Sequence, residues 1–459
     1  MTMQEKLDYT RQLPSRDSVD VFVAGGGPAG MAAAVTAARA GAKVFLVETL
    51  GGFGGMGTSA GIPFICRPTD GIHFLAGGFG REVYDRLFRS GGAGPEMRYG
   101  SHPSEIGGFI YNPESLKRVY DEMAAESGMD FTFHTSLIDL QMEGNRVTHA
   151  ICAAKSGVFA IKAGVFIDAT GDGDLAAMAG APVEFGDEEG LAQAATLCSL
   201  WSGIDWSRKE IWTDGKALKQ AYHDGVFSER DTGLPGILHT VADSGWGNVG
   251  HVYGIDARDE RTVTRGMIQG RKLALEYERY YRNYVPGCEN AHMLWTSLTL
   301  GIRESRRILG DYVLGVEDFV RRAVFEDEIG RYAYPIDLHG TRPPADSEPD
   351  PGTSLFEHYH YRTPGESYGI PYRILLPQKV DNVLSAGRCV STDRGMHGSL
   401  RVQAGCFITG QAAGMAAALA AERKISPREL PVSELQDALL EIGAYLPNHR
   451  KKERTSSCA

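Results

Sequence analysis

Residues 20–48 read DVFVAGGGPAGMAAAVTAARAGAKVFLVE, and the fold is decided by this stretch. A short apolar run ends in Gly25, Gly27 and Gly30, spaced GxGxxG. An alanine-rich segment of high helix propensity follows as far as Ala40, and Gly41 stops it. A second apolar run, residues 44–47, ends in Glu48. Strand, glycine turn, helix, strand and acidic terminus in register read as a dinucleotide-binding βαβ unit. Gly25 permits the tight turn, Gly27 lets the backbone approach a pyrophosphate, and Gly30 lets the helix pack close to the sheet. The free amides and positive end of that helix face the phosphates. Glu48, 21 residues after Gly27, stands where a carboxylate accepts hydrogen bonds from ribose hydroxyls.

Bulk properties narrow the class. With 459 residues, 42% hydrophobic and 23% charged, the chain reads as a soluble globular protein with ample core. A net charge of −11 argues against nucleic acid or an anionic membrane as the main partner. Cysteines 66, 152, 198, 288, 389, 406 and 458 include no CxxC pair. That spacing excludes a disulfide-reductase motif and a clustered Cys₄ iron–sulfur or zinc pattern. A scattered, odd set suits a reducing compartment. The first 18 residues are polar, without a signal-peptide h-region, so the expected location is cytoplasmic. Residues 402–421 are the longest uncharged stretch, dominated by Ala and Gly, and read as a buried helix rather than a membrane span. The basic run 449–454 reads as a solvated end.

Farther along, a second glycine cluster (residues 51–57) precedes Thr58, the mark of a backbone approached closely by a flat or charged group. LAGGFGREVYDRL (75–87) reads as a turn into an amphipathic helix, and residues 113–127 as a helix with Leu116, Val119 and Met123 on one face. Short strands are expected at 131–133, 137–141, 146–153, 159–162 and 165–169. The last runs into Thr170-Gly171-Asp172-Gly173-Asp174, where Asp172 and Asp174 are suited to capping a helix over 175–179.

From Pro182 to about Tyr368 the glycine-led pattern is lost. Helices are expected at 205–212, 216–224, 262–283 and 317–325. GIRESRRIL (301–309) puts Arg303, Arg306 and Arg307 on one helical face, either a solvated stripe or an anion site. Residues 341–353 are Pro-rich and acidic, and read as a loop. His358 and His360 share a face if extended, but no third ligand stands at a telling distance, so no metal is expected. A strand over 370–376, a turn and a strand over 383–386 lead to Gly387-Arg388 and to the polar stretch STDRGMHGSLRVQ (391–403). The helix after it carries Gly405, Gly410 and Gly414, which allow almost direct contact with a neighbouring element.

Taken in order, these motifs resemble the FAD-dependent oxidoreductases of the glutathione-reductase-like class, in its single-chain group. The likeness runs from about residue 19 to 421 and rests on the GxGxxG–Glu48 unit, Gly54-Gly55-Met56-Gly57-Thr58, LAGGFGREVYDRL, FIDATGDG (166–173), GIRESRRILGDYVL, YPIDLH (334–339) and residues 382–403 with their Gly-Gln-Ala-Ala-Gly helix. It implies FAD as cofactor and an α/β fold: a discontinuous Rossmann FAD-binding domain, residues 19–181 and 369–424, with an inserted, largely helical substrate domain, residues 182–368. Residues 425–459 are expected to form a C-terminal helix and a flexible tail. By position, Gly25, Gly27 and Gly30 hold the pyrophosphate and Glu48 the adenosine ribose. Gly55, Thr58, Gly171, Asp172, Gly387, Arg388 and Gly398 lie along the cofactor. The iron–sulfur cysteines of heterodisulfide-reductase relatives are missing, and there is no second GxGxxG unit for a nicotinamide domain.

Without a redox cysteine pair or a second nucleotide site, electrons are expected to pass between flavin N5 and a small substrate beside it. Dehydrogenation, or reduction of a polarised double bond, needs an acid/base group and a positive clamp. His397, Arg394 and Arg401 are the candidates, with Arg373 behind them, and their guanidiniums point to an anionic substrate. Monooxygenase or oxidase chemistry and a non-redox flavin role remain the alternatives. The expected partner is a small molecule, with room for a homo-oligomer.

Overall fold

The computed structural model describes residues 10–93, 108–209, 215–229, 236–344, 358–361 and 363–449. The first strand, β1 (Ser15–Ala24), starts earlier than its apolar run because Ser15 already pairs with Ala160. It leads through the glycine turn into α1 (Pro28–Arg39) and β2 (Val44–Val47). β1 and β2 pair in parallel, with Val21 opposite Val44 and Ala24 opposite Val47. Across the sheet the order is Asp130–Thr132, β2, β1, Gly157–Asp168, Arg146–Ala154, Ser136–Glu143.

The expected strands 159–162 and 165–169 are one continuous strand, Gly157–Asp168, paired with β1 from Ala160 to Asp168. Its first half also pairs antiparallel with Arg146–Ala154, and its last residues pair in parallel with Val383–Ser385. The chain therefore returns, more than 200 residues later, to the sheet it began. The helix Gln403–Arg423 packs back onto α1 through its glycines. A Cβ on Gly410 would lie 2.3 Å from Ala29 O, and one on Gly414 2.1 Å from Ala33 O. By length and composition this is the one helix among the described residues able to cross a membrane, but 89% of its most apolar window is buried inside the protein.

The region after Pro182 is less helical than its sequence suggests. It contains helices Gly215–His223 and Glu260–Tyr284, but also a four-stranded antiparallel sheet in the order Gly236–Val241, Ser244–Asn248, Ser199–Ser202, His292–Thr296. Trp201, Tyr277, Tyr280 and Tyr281 fill the space between. Residues 206–208 form a turn, with Asp205 Oδ1 accepting from Ser207, and residues 210–212 of the expected helix lie outside the described chain. The helix expected over 317–325 is shorter, Val316–Val320, and Arg322 takes φ +54. The strand expected over 370–376 is Tyr368–Pro371, followed by a 3₁₀ turn at Tyr372–Leu375. Pro371 has no N–H to extend the pairing.

The largest departure is GIRESRRIL. Gly301 bridges Thr196, Arg306–Ile308 pairs antiparallel with Val183–Phe185, and Leu309 N donates to Pro182 O. Pairing on this side outweighs the helix propensity of the segment. Arg306 and Arg307, adjacent in the pleat, go to opposite faces, and Arg303 lies before the strand. The three diverge: Arg303 reaches Ala194 and Thr196, Arg306 Asp174, and Arg307 Glu304.

The loop expected over 341–353 lies outside the described residues from 345 on, as do the first nine residues and the basic run from 450. The C-terminal helix is present as Val432–Glu441. Among the described residues no three His, Cys, Asp or Glu side chains are grouped to hold a metal ion.

Candidate active site

The site starts at the glycine turn. Gly25 sits at φ +98, a conformation L side chains rarely adopt, and a Cβ on Gly30 would lie 1.8 Å from Gly25 O. Gly30 is thus a packing residue: its bareness seats α1 on the turn. Gly27, the residue before α1, is different. Nothing lies within 4 Å of where its Cβ would be, so its open side faces a cavity. Glu48 is buried beside it. Its Oε2 accepts from Gly26 N at 2.6 Å and its Oε1 from Leu50 N at 2.7 Å. Burial raises its pKa, opposed by these backbone bonds. A carboxylate accepts at about four positions, so two bonds aim Glu48 without saturating it.

The cavity has a volume of about 450 Å³. It runs from Glu48 and Gly27 past Gly55 and Gly171 to Arg388 and the start of the Gln403 helix. Arg388 ties its walls together: Nε donates to Gly171 O at 2.8 Å, one Nη to Asp172 Oδ1 at 2.7 Å, and the other to Ile302 O. Asp172 and Asp174 are paired with arginines rather than capping. The helix Asp174–Met178 has Gly173 as N-cap, and Asp168 Oδ2 accepts from Ala176 N.

Of the residues expected at the site, Gly25, Gly27, Glu48, Gly55, Gly171, Asp172, Gly387, Arg388 and Arg401 line this cavity. The others do not line it. Thr58 is buried and donates to Phe53 O at 2.6 Å, which folds the glycine loop. A Cβ on Gly398 would meet Asp337 O at 2.7 Å, so its role is close packing. Arg394 reaches buried Glu304 at 3.2 Å, and Arg373 lies against Asp327 at 2.9 Å. His397 is 1% exposed, and neither ring nitrogen has a hydrogen-bond partner. Burial first, then Arg401, Arg307, Arg388 and Arg394, hold its pKa well below the usual value.

Opposite the nucleotide turn the cavity has a charged wall, much of which had no role assigned from sequence: Arg303, Asp337 and His339, with Arg401, Tyr334 and Asn248. Arg303 donates to Ala194 O at 2.9 Å and Thr196 Oγ1 at 2.8 Å. Arg401 donates to Asp337 O at 3.1 Å and Oδ2 at 3.4 Å, and Tyr334 OH to Asp337 Oδ2 at 3.3 Å. His339 Nε2 lies 3.4 Å from Asp337 Oδ1, and its Nδ1 2.9 Å from Nε2 of buried His251. Burial would raise the Asp337 pKa, but His339, Arg401 and Arg303 hold it well below the carboxylate range. Burial and Arg303 push His339 down to about 3, against the pull of Asp337. YPIDLH carried the signal: in an extended segment Asp337 and His339 share one face.

These residues fit an elongated dinucleotide. A helix N-terminus beside bare Gly27 could hold a pyrophosphate and the Glu48 carboxylate a ribose, and the cavity continues past the glycine loop. The model of FAD dependent oxidoreductases matches residues 20–439. The chain belongs to the FAD-dependent oxidoreductase family. FAD is its cofactor. Among curated proteins none matches the oxidoreductase. Among solved structures it is similar to a geranylgeranyl bacteriochlorophyll reductase-like protein from Thermoplasma acidophilum, at 14% identity and TM-score 0.47, covering 93% of this chain and 84% of that one. It is also similar to an aromatic hydroxylase from angucycline biosynthesis (13%, 0.45, covering 92% and 65%) and to the p-nitrophenol 4-monooxygenase of Pseudomonas putida (11%, 0.43, covering 93% and 84%). Likeness at this level carries no argument about the reaction.

Proposed function

We propose that this FAD-dependent oxidoreductase dehydrogenates a small anionic organic substrate, or reduces a polarised double bond in one. The observation that carries this reading is one cavity joining the nucleotide turn to a wall holding Arg303 and Arg401. Bound FAD supplies hydride transfer. The chain supplies the rest. Gly25, Gly27 and the first amides of α1 hold the pyrophosphate, Glu48 the ribose, and Arg388 braces the turn that carries Gly171. Arg401, fixed on Asp337, presents a guanidinium that grips a carboxylate, and Arg303 faces it from the region 182–368, which forms the substrate side. His339 is the histidine that touches the cavity and takes the acid/base role first given to His397.

The test is anaerobic reduction of the purified, FAD-loaded protein against a panel of hydroxy, amino and unsaturated carboxylic acids, and against NADH and NADPH followed by oxygen. Reduction by one organic acid, with Arg401→Lys raising KM about tenfold or more, supports the reading. Rapid reduction by a pyridine nucleotide, followed by hydroxylation of an organic substrate, makes the enzyme a monooxygenase and overturns it.

A further inference from the structure

We propose that this protein binds one halide ion at a buried site beside the cavity, held by Gln193, Arg307, His397 and Arg401. The inference is independent of the substrate reading above, and of the four residues only Arg401 lines the cavity.

These residues belong to a closed ring of contacts. Gln193 N donates to Glu304 Oε2 at 3.0 Å, and Glu304 Oε1 accepts from Arg307 at 2.7 Å and from Arg394 Nε at 3.2 Å. Arg394, His397 and Arg401 follow at i, i+3 and i+7 along the helix Arg394–Leu400 and its C-cap, so they share one face. Arg401 donates to Asp337 O at 3.1 Å. A Cβ on Gly398 would lie 2.7 Å from that same oxygen, so the helix sits directly on the Asp337 segment. Two residues on, His339 N donates to Gln193 Oε1 at 2.9 Å and closes the ring.

Four side chains of the ring keep buried polar atoms with no hydrogen-bond partner among the described residues: Gln193 Nε2, Arg307 Nε, Arg401 Nε and both nitrogens of His397. Buried polar groups are almost always paired, so this many orphans on one ring call for a ligand. Their chemistry names it. Guanidinium and amide nitrogens only donate, and a neutral imidazole offers one N–H and one lone pair. Donors are in excess, and a spherical anion accepts from every direction at once.

The charges agree. The ring carries the guanidiniums of Arg307, Arg394 and Arg401 against the carboxylates of Glu304 and Asp337. Around it, Arg388 is paired with Asp172, and Arg303, which acts on Asp337, is offset by the half-exposed Glu184 on Arg307. One positive charge is left over in a buried setting, where an unmatched charge is costly. Burial, then Arg401, Arg307, Arg388 and Arg394, hold His397 neutral, so it donates to the ion and is not its counter-charge. Through Gln193 and Arg307 the ion ties the region after Pro182 to the helix that places Arg401 on the cavity.

The FAD-loaded protein, dialysed into sodium sulfate, is melted against rising sodium chloride or sodium bromide at constant ionic strength. Crystals grown without halide are soaked in sodium bromide for anomalous diffraction. The expected results are a saturable rise in Tm of about 2 °C or more with either halide and a bromine peak inside the ring. Gln193→Glu sets a carboxylate against the ion, and should keep FAD and abolish the rise. Gln193→Met removes the amide donors and should raise the halide midpoint about tenfold; it serves if the first variant does not fold. The same Tm in halide and in sulfate means that water alone pairs these atoms, and overturns the inference. A rise that persists unchanged in either variant overturns it too, as does a rise without a bromine peak at the ring. A bromine peak there without an effect on Tm is an adventitious ion only, which also overturns it.

Discussion

The two walls of the cavity are built differently. On the side of the glycine turn the lining is largely main chain, from the Gly25–Gly27 turn, the start of α1 and the glycine loop at Gly55, with the charged side chains of Glu48, Asp172 and Arg388 among it. On the facing side they come from side chains, Arg303, Asp337, His339 and Arg401, held in place by one another and by neighbouring backbone carbonyls. A main-chain site needs residues that leave space, and those stand close together in sequence. A side-chain site needs residues that reach across from separate segments, and nothing in their local spacing requires that they meet. The contrast explains why one wall is legible as a motif and the other is not.

The comparison breaks most visibly at the glycines. Gly30→Ala puts a methyl against Gly25 O and is expected to cost about 3 kcal/mol or more and to empty the protein of FAD. Gly27→Ala meets open space, so it should change stability by within about 1 kcal/mol while still lowering FAD content. Urea unfolding with bound flavin measured alongside separates the two. Equal destabilisation by both would show that Gly27 is a packing residue as well.

A smaller effect sharpens the account of the charged side. His397 does not line that wall, and burial and arginines keep it neutral when folded. Its folded pKa lies below the unfolded value of about 6.5, so above that pH both states are neutral and stability does not respond. Below it the unfolded chain binds a proton that the folded one does not, and stability falls. His397→Leu should therefore shrink the loss between about pH 6.5 and 5.5 by about 1 kcal/mol. An unchanged slope in the variant would mean that the ring titrates in the folded protein.

The smallest effect belongs to Arg306, which pairs with Asp174 at 2.7 Å where both side chains are partly exposed. Arg306→Ala is expected to cost under about 1 kcal/mol and to leave FAD content and substrate KM unchanged. A large rise in KM would reunite Arg303, Arg306 and Arg307 as one anion site, against their divergence in the strand.

How far the sequence reached follows from the range of the forces involved. The βαβ unit, the helix Pro113–Ser127 and the bare face of the Gln403 helix were legible because propensity, the spacing of apolar residues and the absence of a Cβ act within a few residues. Even the need for a close neighbour at Gly410 and Gly414 could be read, though not that the neighbour is α1. GIRESRRIL could not be read, since its partner strand Val183–Phe185 lies over 100 residues away and backbone pairing there outweighs local preference. The placement of His397 off the wall, and of His339 on it against His251, was likewise set by tertiary packing. Sequence alone determined the cofactor turn, because its work is done by missing side chains. Only the tertiary structure decided which charges face the cavity, because burial and long-range pairing choose among side chains that local chemistry treats alike.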